Sequence, residues 1–492
     1  MSTLFNYTMT FIVGMAISMA GKAQGPNAGR DLPGSRAQGP NVGRDLSVGR
    51  AQGPRALPEG GASTLDAYIQ QAFTTNAGLR QEQFQLDKSL YALDEAKSLF
   101  LPNVSLVGSY TKASGGRAID VPLGDLLNNV YSTLNALTGA HRFPQLSNES
   151  IEFNPDNYYD AHFHTTLPLV DVELLYNRRI RQQAITSQQA AVNVYKRELV
   201  KNIKTAYFQY YQSIQAISIY NAALDLVAEN IRVNRSLLEN GTRNSTALTR
   251  ALSEQQRTLA QRNQAENSAR NAKAYFNFLL NRPLADTILM DTTLFVRPGA
   301  FDTASAGIGG REELQQWKAA EATSGLSLQL ERSYLIPQLS TFLDLGSQGM
   351  GTFDNTSRYY FWGISLQWNL FAGGQHTARA RQAEADQRSA ESGYEETLQT
   401  LQLQLTQSFN DYQSAVETYR SAEAQLSFAR KYCDDQSRAY RAGQLLYVEL
   451  LDAQNQLTEA RLQEDQAYAG VQIAMAQLER DQATYPLQHQ KS

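Results

Sequence analysis

His162 and His164 form an H-x-H pair, a spacing that sets two imidazoles on one side of an extended strand, where they could share a metal ion. Two nitrogens leave such an ion short of its usual four ligands, so the pair reads as part of a polar strand face and no metal site is assigned. Glu449 and Asp452 follow Gly443 and, three residues apart, occupy neighbouring positions on one helix face. Carboxylates so placed attract cations; the plainer reading is a solvated acidic pair near a helix N-terminus, where negative charge is mildly favourable. Cys433 is the single cysteine, which forbids an intramolecular disulfide. It closes a series at three- and four-residue spacing (Leu398, Leu401, Leu405, Phe409, Tyr412, Val416, Tyr419, Ala422, Leu426, Ala429) and reads as an apolar packing residue. No Ser–His–Asp arrangement or phosphate-cradling glycine loop stands out. Neither an enzyme nor a cofactor is expected.

The bulk properties narrow the classes further. A net charge of −4 in 492 residues offers no basic face for nucleic acid. Mean hydropathy is −0.42, polar for a membrane protein. The one continuous apolar run, Phe11 to Ala20, is too short for a spanning helix of roughly 20 residues. Any passage through a bilayer must therefore use a β-barrel, whose alternating strands average out in hydropathy. The apolar run ends at the small-residue site Gly21-Lys22-Ala23 and predicts a signal peptide over 1–23, although no Lys or Arg precedes it. A tandem 14-residue repeat, AQGPNAGRDLPGSR then AQGPNVGRDLSVGR, begins at Ala23 and marks the segment over 24–62. Gly and Pro punctuate it without an apolar period, as in a disordered tether.

The elements that must position these residues come twice. A helical pattern over 64–100 stops at Leu101-Pro102, since proline disfavours helix in the residue before it, and NVSLVGSY (103–110) then alternates. In the second half a helix over 311–335 stops at Ile336-Pro337 before QLSTFLDLG (338–346). Second strands follow at 158–169 and 359–371. In the latter, Tyr360, Trp362, Ile364, Leu366 and Trp368 share one face; Tyr359, Gly363, Ser365 and Gln367 take the other, with Phe361 an exception. That division suits a lipid-facing strand over a wet lumen, and a half-buried soluble strand would read alike.

A very long helix leaves each strand pair. The first spans 173–240, with Val192, Tyr195, Leu199, Ile203, Ala206, Tyr210, Ile214 and Ile217 at three- and four-residue spacing. It breaks at Asn240-Gly241 and returns over 245–280. The second spans 375–442, breaks at Gly443 and returns to about 481. Pro102 and Pro337 are offset by 235 residues but Gly241 and Gly443 by 202, so the first copy holds 33 extra residues. The link at 111–157, 47 residues against about 12, accounts for them. The expected organisation is a first repeat over 63–284, a linker over 285–310, a second repeat over 311–482 and a tail over 483–492.

Four strands per chain cannot close a barrel, and open sheet edges are not tolerated in lipid, whereas three chains would supply twelve strands. This order of elements, occurring twice, resembles the TolC-type outer-membrane efflux proteins. The local cues are Leu167-Pro168-Leu169, Asn369-Leu370-Phe371-Ala372-Gly373-Gly374, Phe278 to Leu284, and Tyr440-Arg441-Ala442-Gly443 through Val448 to Ala453. The resemblance covers roughly 63–482 and rests on the order and duplication of the cues.

It implies a mixed α and β fold: a homotrimer whose twelve-stranded transmembrane β-barrel, four strands per chain, continues into a long periplasmic α-helical barrel. It also implies a Gram-negative outer membrane, a periplasmic adaptor, and an inner-membrane transporter of RND or ABC type that supplies the energy. The function implied is passive conduction of small molecules to the exterior, or alternatively of protein in type I secretion. A periplasmic coiled-coil structural protein is the reading from another class.

By the resemblance, Glu449 and Asp452 match carboxylates that ring the periplasmic entrance, six of them under threefold symmetry. The tips Gly241, Thr242, Arg243 and Gly443, Gln444, Leu445 become candidate adaptor contacts, and Tyr360, Trp362 and Trp368 lipid-facing aromatics. The sequence departs from the family at Leu445, where an arginine helps lock the closed state. Arg243 stands at the matching place of the first tip, and Arg250 where the second copy has Asp452.

Overall fold

A computed structural model of the chain describes residues 64–154, 157–242, 244–290, 308–351 and 357–487; the expected signal peptide, the 14-residue repeats and most of the linker lie outside these residues. The chain enters through α1 (Thr64–Thr75) and α2 (Ala77–Ser98). One helix was expected here, but Asn76 divides it. Its side chain accepts the Leu79 N–H at 2.9 Å as a cap and donates to the Leu279 carbonyl at 2.8 Å. After β1 (Asn103–Thr111) come β2 (Ala118–Val121), α3 (Leu123–Thr138), β3 (Glu149–Glu152) and β4 (Tyr158–Val170). The first helical hairpin is α4 (Val172–Glu239) with α5 (Thr246–Leu279). The second half repeats the order as α6 (Glu312–Arg332), β5 (Gln338–Met350), β6 (Ser357–Gln367), α7 (Gln375–Arg441) and α8 (Tyr447–Gln482).

The duplication expected from landmark spacing appears in the element lengths. The hairpin helices run 68 and 34 residues in the first copy, and 67 and 36 in the second. Each longer helix is about 100 Å from end to end. The extra residues of the first copy are folded rather than a plain loop. β2 pairs antiparallel with β3 around α3, and Asn128 clamps Leu146 by accepting its N–H at 2.7 Å and donating to its carbonyl at 2.8 Å. Asn135 holds Phe143 in the same way, at 3.1 and 2.8 Å. The helix itself carries an apolar spacing, Leu123, Leu126, Leu127, Val130, Leu134 and Leu137, that the sequence reading passed over, whereas the polar clamps leave no period.

Strands β1, β4, β5 and β6 form one antiparallel sheet in that order. The β4–β5 register shifts between Pro168 and Val170, a bulge at the one strand residue that has no N–H to give. Strand β6 ends at Gln367, earlier than the alternation suggested, so Trp368 lies just past it and is exposed.

The helices pack by the stripes their spacing predicts. In α4, Val192, Leu199, Ile203 and Ala206 are buried with Ile69 and Phe276, while further along Ile214 emerges. In α7, Leu401, Tyr412, Ala422, Leu426 and Cys433 are buried. Cys433 sits among Leu426, Ala453, Leu457 and Ala460, and burial pushes its thiol up, away from the reactive thiolate.

Candidate functional site

Both hairpin tips close in the same way, because a helix end leaves carbonyls without partners and a glycine in the left-handed region lets the chain turn back to them. At the first tip Gly241 has φ +68°, its N–H meets the Leu238 carbonyl at 2.9 Å, and the Thr242 N–H reaches Leu237 at 3.0 Å. At the second, Gly443 has φ +74°, with its N–H to the Tyr440 carbonyl and that of Gln444 to Ala439, each at 3.0 Å. Gly241, Thr242, Gly443 and Gln444 are all exposed, whereas Arg243 lies outside the described residues. Leu445, where the resemblance leads one to expect an arginine, is half-buried against the apolar cluster beneath the tips. This position has become packing.

That cluster fixes the direction of the carboxylates. Leu450 and Leu451 of α8 bury with Val227 and Ile231 of α4, Ala251 of α5, and Tyr440 and Tyr447. The buried Asn230 amide donates to Gln454 at 2.6 Å, and the Tyr440 hydroxyl to Asn234 at 3.1 Å, so the two hairpins are tied near their ends. With one face of α8 held inward, Glu449 and Asp452 project from the other and are exposed. Glu449 accepts the Leu446 N–H at 3.4 Å and Asp452 accepts from Gln456 at 2.7 Å. Gln456 and Glu459 continue the same exposed line.

At the other end the sheet has two unlike faces, which its register defines. Leu106, Phe163, Leu345 and Tyr360 stand opposite one another across the four strands, and Leu343 meets Trp362. With Tyr110, Ile364 and Leu366 they make an apolar face, and Tyr360 is 69% and Trp362 54% exposed. The other face carries Ser105, Ser109, Asp160, His162, His164, Asp344 and Gln348, with Val107, Phe342, Met350 and Phe361 among its apolar members. The H-x-H pair is not alone there: Asp344 lies directly across from His164, and Asp160 is two residues from His162. Sequence reading passed over both acids. An alternating strand pattern gives their face, but no spacing in the chain gives their register.

Between tip and sheet, Tyr211, Tyr419 and Tyr468 cluster with ring centroids 5.9 Å apart in each contact with Tyr468. Nearby, burial and then the charge of Glu464 push the Asp465 carboxyl up to about 7. The folded chain therefore holds a proton that the unfolded chain has lost between the ordinary carboxylate range and about pH 7, and stability falls as pH rises through that window. Asp465→Asn should accordingly raise the unfolding temperature at pH 8 by the equivalent of roughly 2 kcal/mol, allowing for solvent screening, and change it little at pH 4. Melting curves at both pH values check this; an equal shift at both would refute the buried-carboxylate account.

Comparison with known proteins agrees with this geometry. Residues 68–282 and 308–480 match the outer membrane efflux protein family. The chain is 23% identical over 325 residues to the alkaline protease secretion protein AprF of Pseudomonas aeruginosa, covering 63% of this chain and 67% of AprF. The outer-membrane channel OprN superposes with a TM-score of 0.68 at 19% identity, covering 85% of this chain and 89% of OprN. For the Campylobacter jejuni CmeC outer membrane channel the TM-score is 0.67 at 14% identity, covering 92% and 94%. Two matched segments that take in both repeats, over a fold shared with outer-membrane channels, make the chain a member of the outer membrane efflux protein family, a family of outer-membrane channels rather than enzymes, which extend into the periplasm and serve tripartite efflux or type I secretion.

Proposed function

We propose that three copies of this chain close their sheets into a twelve-stranded transmembrane barrel, and that the hairpins continue it as a helical tube into the periplasm. The observation that carries this reading is the sheet itself: β1 and β6 each lack a second partner among the described residues, while one face is mostly apolar and presents Leu106, Phe163, Leu345, Tyr360 and Trp362 exposed. Unpaired edges are costly in hydrocarbon, and closure with further copies removes them. The apolar face then meets lipid, with Tyr360 and Trp362 on it and Trp368 at its border. The tips, Gly241 and Thr242 with Gly443, Gln444 and Leu445, dock a periplasmic adaptor, and an inner-membrane transporter of RND or ABC type supplies the energy. Glu449 and Asp452 ring the periplasmic entrance.

The cargo is small molecules that cross passively. A second reading, export of protein, is favoured by one observation, the likeness to AprF, which is by name a protein secretion protein. Detergent-extracted full-length protein should run as a heat-sensitive trimer and form discrete single channels in planar bilayers. A monomer that gives no channels would end the barrel reading. Deletion of the gene should then sensitise the host to toxic small molecules; loss of a secreted protein with unchanged sensitivity would favour the second reading.

A further inference from the structure

The polar face of the sheet gathers three metal-ligating side chains from two strands. His162, His164 and Asp344 each offer one donor atom, and the three atoms lie within 4.8 Å of one another. Among the described residues no other such group of His, Cys, Asp and Glu is assembled. The register accounts for it. Asp344 pairs with His164 across β4–β5, and Gly346 pairs with His162. A Cβ at Gly346 would stand 2.4 Å from that of His162, so the glycine permits the close approach of the two strands at this point.

The surroundings are those of a supported site. His164 Nδ1 lies 2.5 Å from Asp344 Oδ1. His162 Nδ1 lies 3.3 Å from Asp160 Oδ1, and that oxygen also accepts the Tyr359 hydroxyl at 2.6 Å. A proton on His162 Nδ1 facing Asp160 leaves Nε2 with its lone pair, the arrangement by which carboxylates orient metal-binding histidines. The Asp160 and Asp344 side chains are 25% and 17% exposed, half-shielded from water yet open on one side. The plain alternative is a hydrogen-bonded polar network that only holds two strands in register.

We propose that His162, His164 and Asp344 bind a divalent transition-metal ion of the Zn2+ class on the lumen wall of the barrel. Placement in the lumen rests on the barrel reading above. Two imidazole nitrogens and one carboxylate oxygen suit such an ion, whereas Ca2+ and Mg2+ call for all-oxygen shells. With bonds of about 2.1 Å, two donors of a tetrahedral ion stand about 3.4 Å apart. Binding therefore opens the His164–Asp344 contact and draws the widest pair inward, by side-chain rotation alone. Water completes the shell from the open side, and Asp160 acts as a positioning residue for His162.

Titration of the full-length protein in detergent with Zn2+, followed by calorimetry, tests the ligands; single-channel recording with Zn2+ or Mg2+ in the bath tests the place. Wild type should bind one Zn2+ per chain and lose current to Zn2+ but not to Mg2+. His162→Ala with His164→Ala should abolish both effects. Asp344→Asn, which keeps shape and a hydrogen bond, should do the same without disturbing assembly, and Asp160→Asn should weaken binding by about 10–100-fold. Wild type that binds no Zn2+, or variants that bind it equally, would overturn the site. Binding that the variants abolish, with currents untouched, would instead overturn the lumen placement and with it the assignment of sheet faces.

Discussion

Glu449→Ala combined with Asp452→Ala should reduce the cation preference of the channel roughly tenfold in 0.15 M salt and raise its conductance in 1 M salt. Under threefold closure these positions bring six carboxylates to one ring. Six charges about 7 Å from a passing ion contribute on the order of 1–2 kcal/mol after screening at 0.15 M, equivalent to about tenfold in local cation concentration. At 1 M the screening length is about 3 Å, so enrichment fades and the bore of the ring dominates. Truncating two side chains per chain widens the bore. The isosteric pair Glu449→Gln with Asp452→Asn separates the two effects, since it removes charge and keeps size: selectivity should fall while conductance at 1 M stays near wild type. Reversal potentials across a salt gradient measure the first quantity and single-channel amplitudes the second. Both side chains are exposed and Glu449 gives up only a 3.4 Å cap bond to the Leu446 N–H, so neither variant should alter folding by more than about 1 kcal/mol. If selectivity and amplitude are unchanged in both, the pair lies outside the constriction.

Leu445 bears on the same measurement. An arginine at that position could reach a carboxylate of a neighbouring helix, whereas Leu445 is half-buried against the apolar cluster of Val227, Ile231, Tyr447 and Leu450. Whatever holds the tips together within one chain is then packing together with the Asn230–Gln454 and Tyr440–Asn234 bonds. If Glu449 and Asp452 ring the entrance, their charges are left to act on ions rather than on a lock.

The duplication was legible because its punctuation is chemical. Proline stops the entry helices at 102 and 337, glycine turns the hairpins at 241 and 443, and both effects act within a few residues. The α7 stripe through Leu401, Tyr412 and Leu426 to Cys433 was legible because one helix face must be apolar to bury. The break at Asn76 was not, since its cause is a carbonyl 203 residues away at Leu279. Nor was the third member of the His162 and His164 cluster, which arrives from 180 residues further on through strand register. Trp368 misled because alternation runs past the strand's end: the hydrogen bonds stop at Gln367, and periodicity does not record hydrogen bonds.

Arg311→Ala should be the most destabilising single change among the charged residues, costing about 3–5 kcal/mol. Arg-Glu-Glu at 311–313 reads in sequence as a solvated helix start, yet the Arg311 side chain is 1% exposed. Its guanidinium donates to both Glu313 carboxylate oxygens, at 3.0 and 2.7 Å, and to the Asp481 carbonyl at 2.9 Å. Arg480 supports the same acids, donating to Asp481 at 3.0 Å and Glu313 at 3.2 Å, and Arg197 makes a bidentate pair with Glu312 at 2.6 Å. The knot thus joins α4, the start of α6 and the end of α8. Removing the Arg311 cation takes the bidentate donor from Glu313, which keeps Arg480 at 3.2 Å, and leaves the Asp481 side chain, 2% exposed, to Arg480 and Gln477. Burial works against the charged Glu313, but Arg311, together with a backbone hydrogen bond and Arg480, more than offsets it and holds the carboxyl below its ordinary range. A depressed carboxylate adds stability above its unfolded pKa and loses it as pH falls, so the gap between wild type and Arg311→Ala should narrow below about pH 4. Replacing all three members, as Arg311→Leu with Glu313→Leu and Asp481→Leu, should recover most of the loss, because the buried ions leave together while Arg480 keeps Glu198 at 3.3 Å. Melting curves of the full-length protein at pH 4 and pH 7.5 decide it: an Arg311→Ala protein as stable as wild type at neutral pH would show that the knot is ornament on a fold held by its apolar stripes.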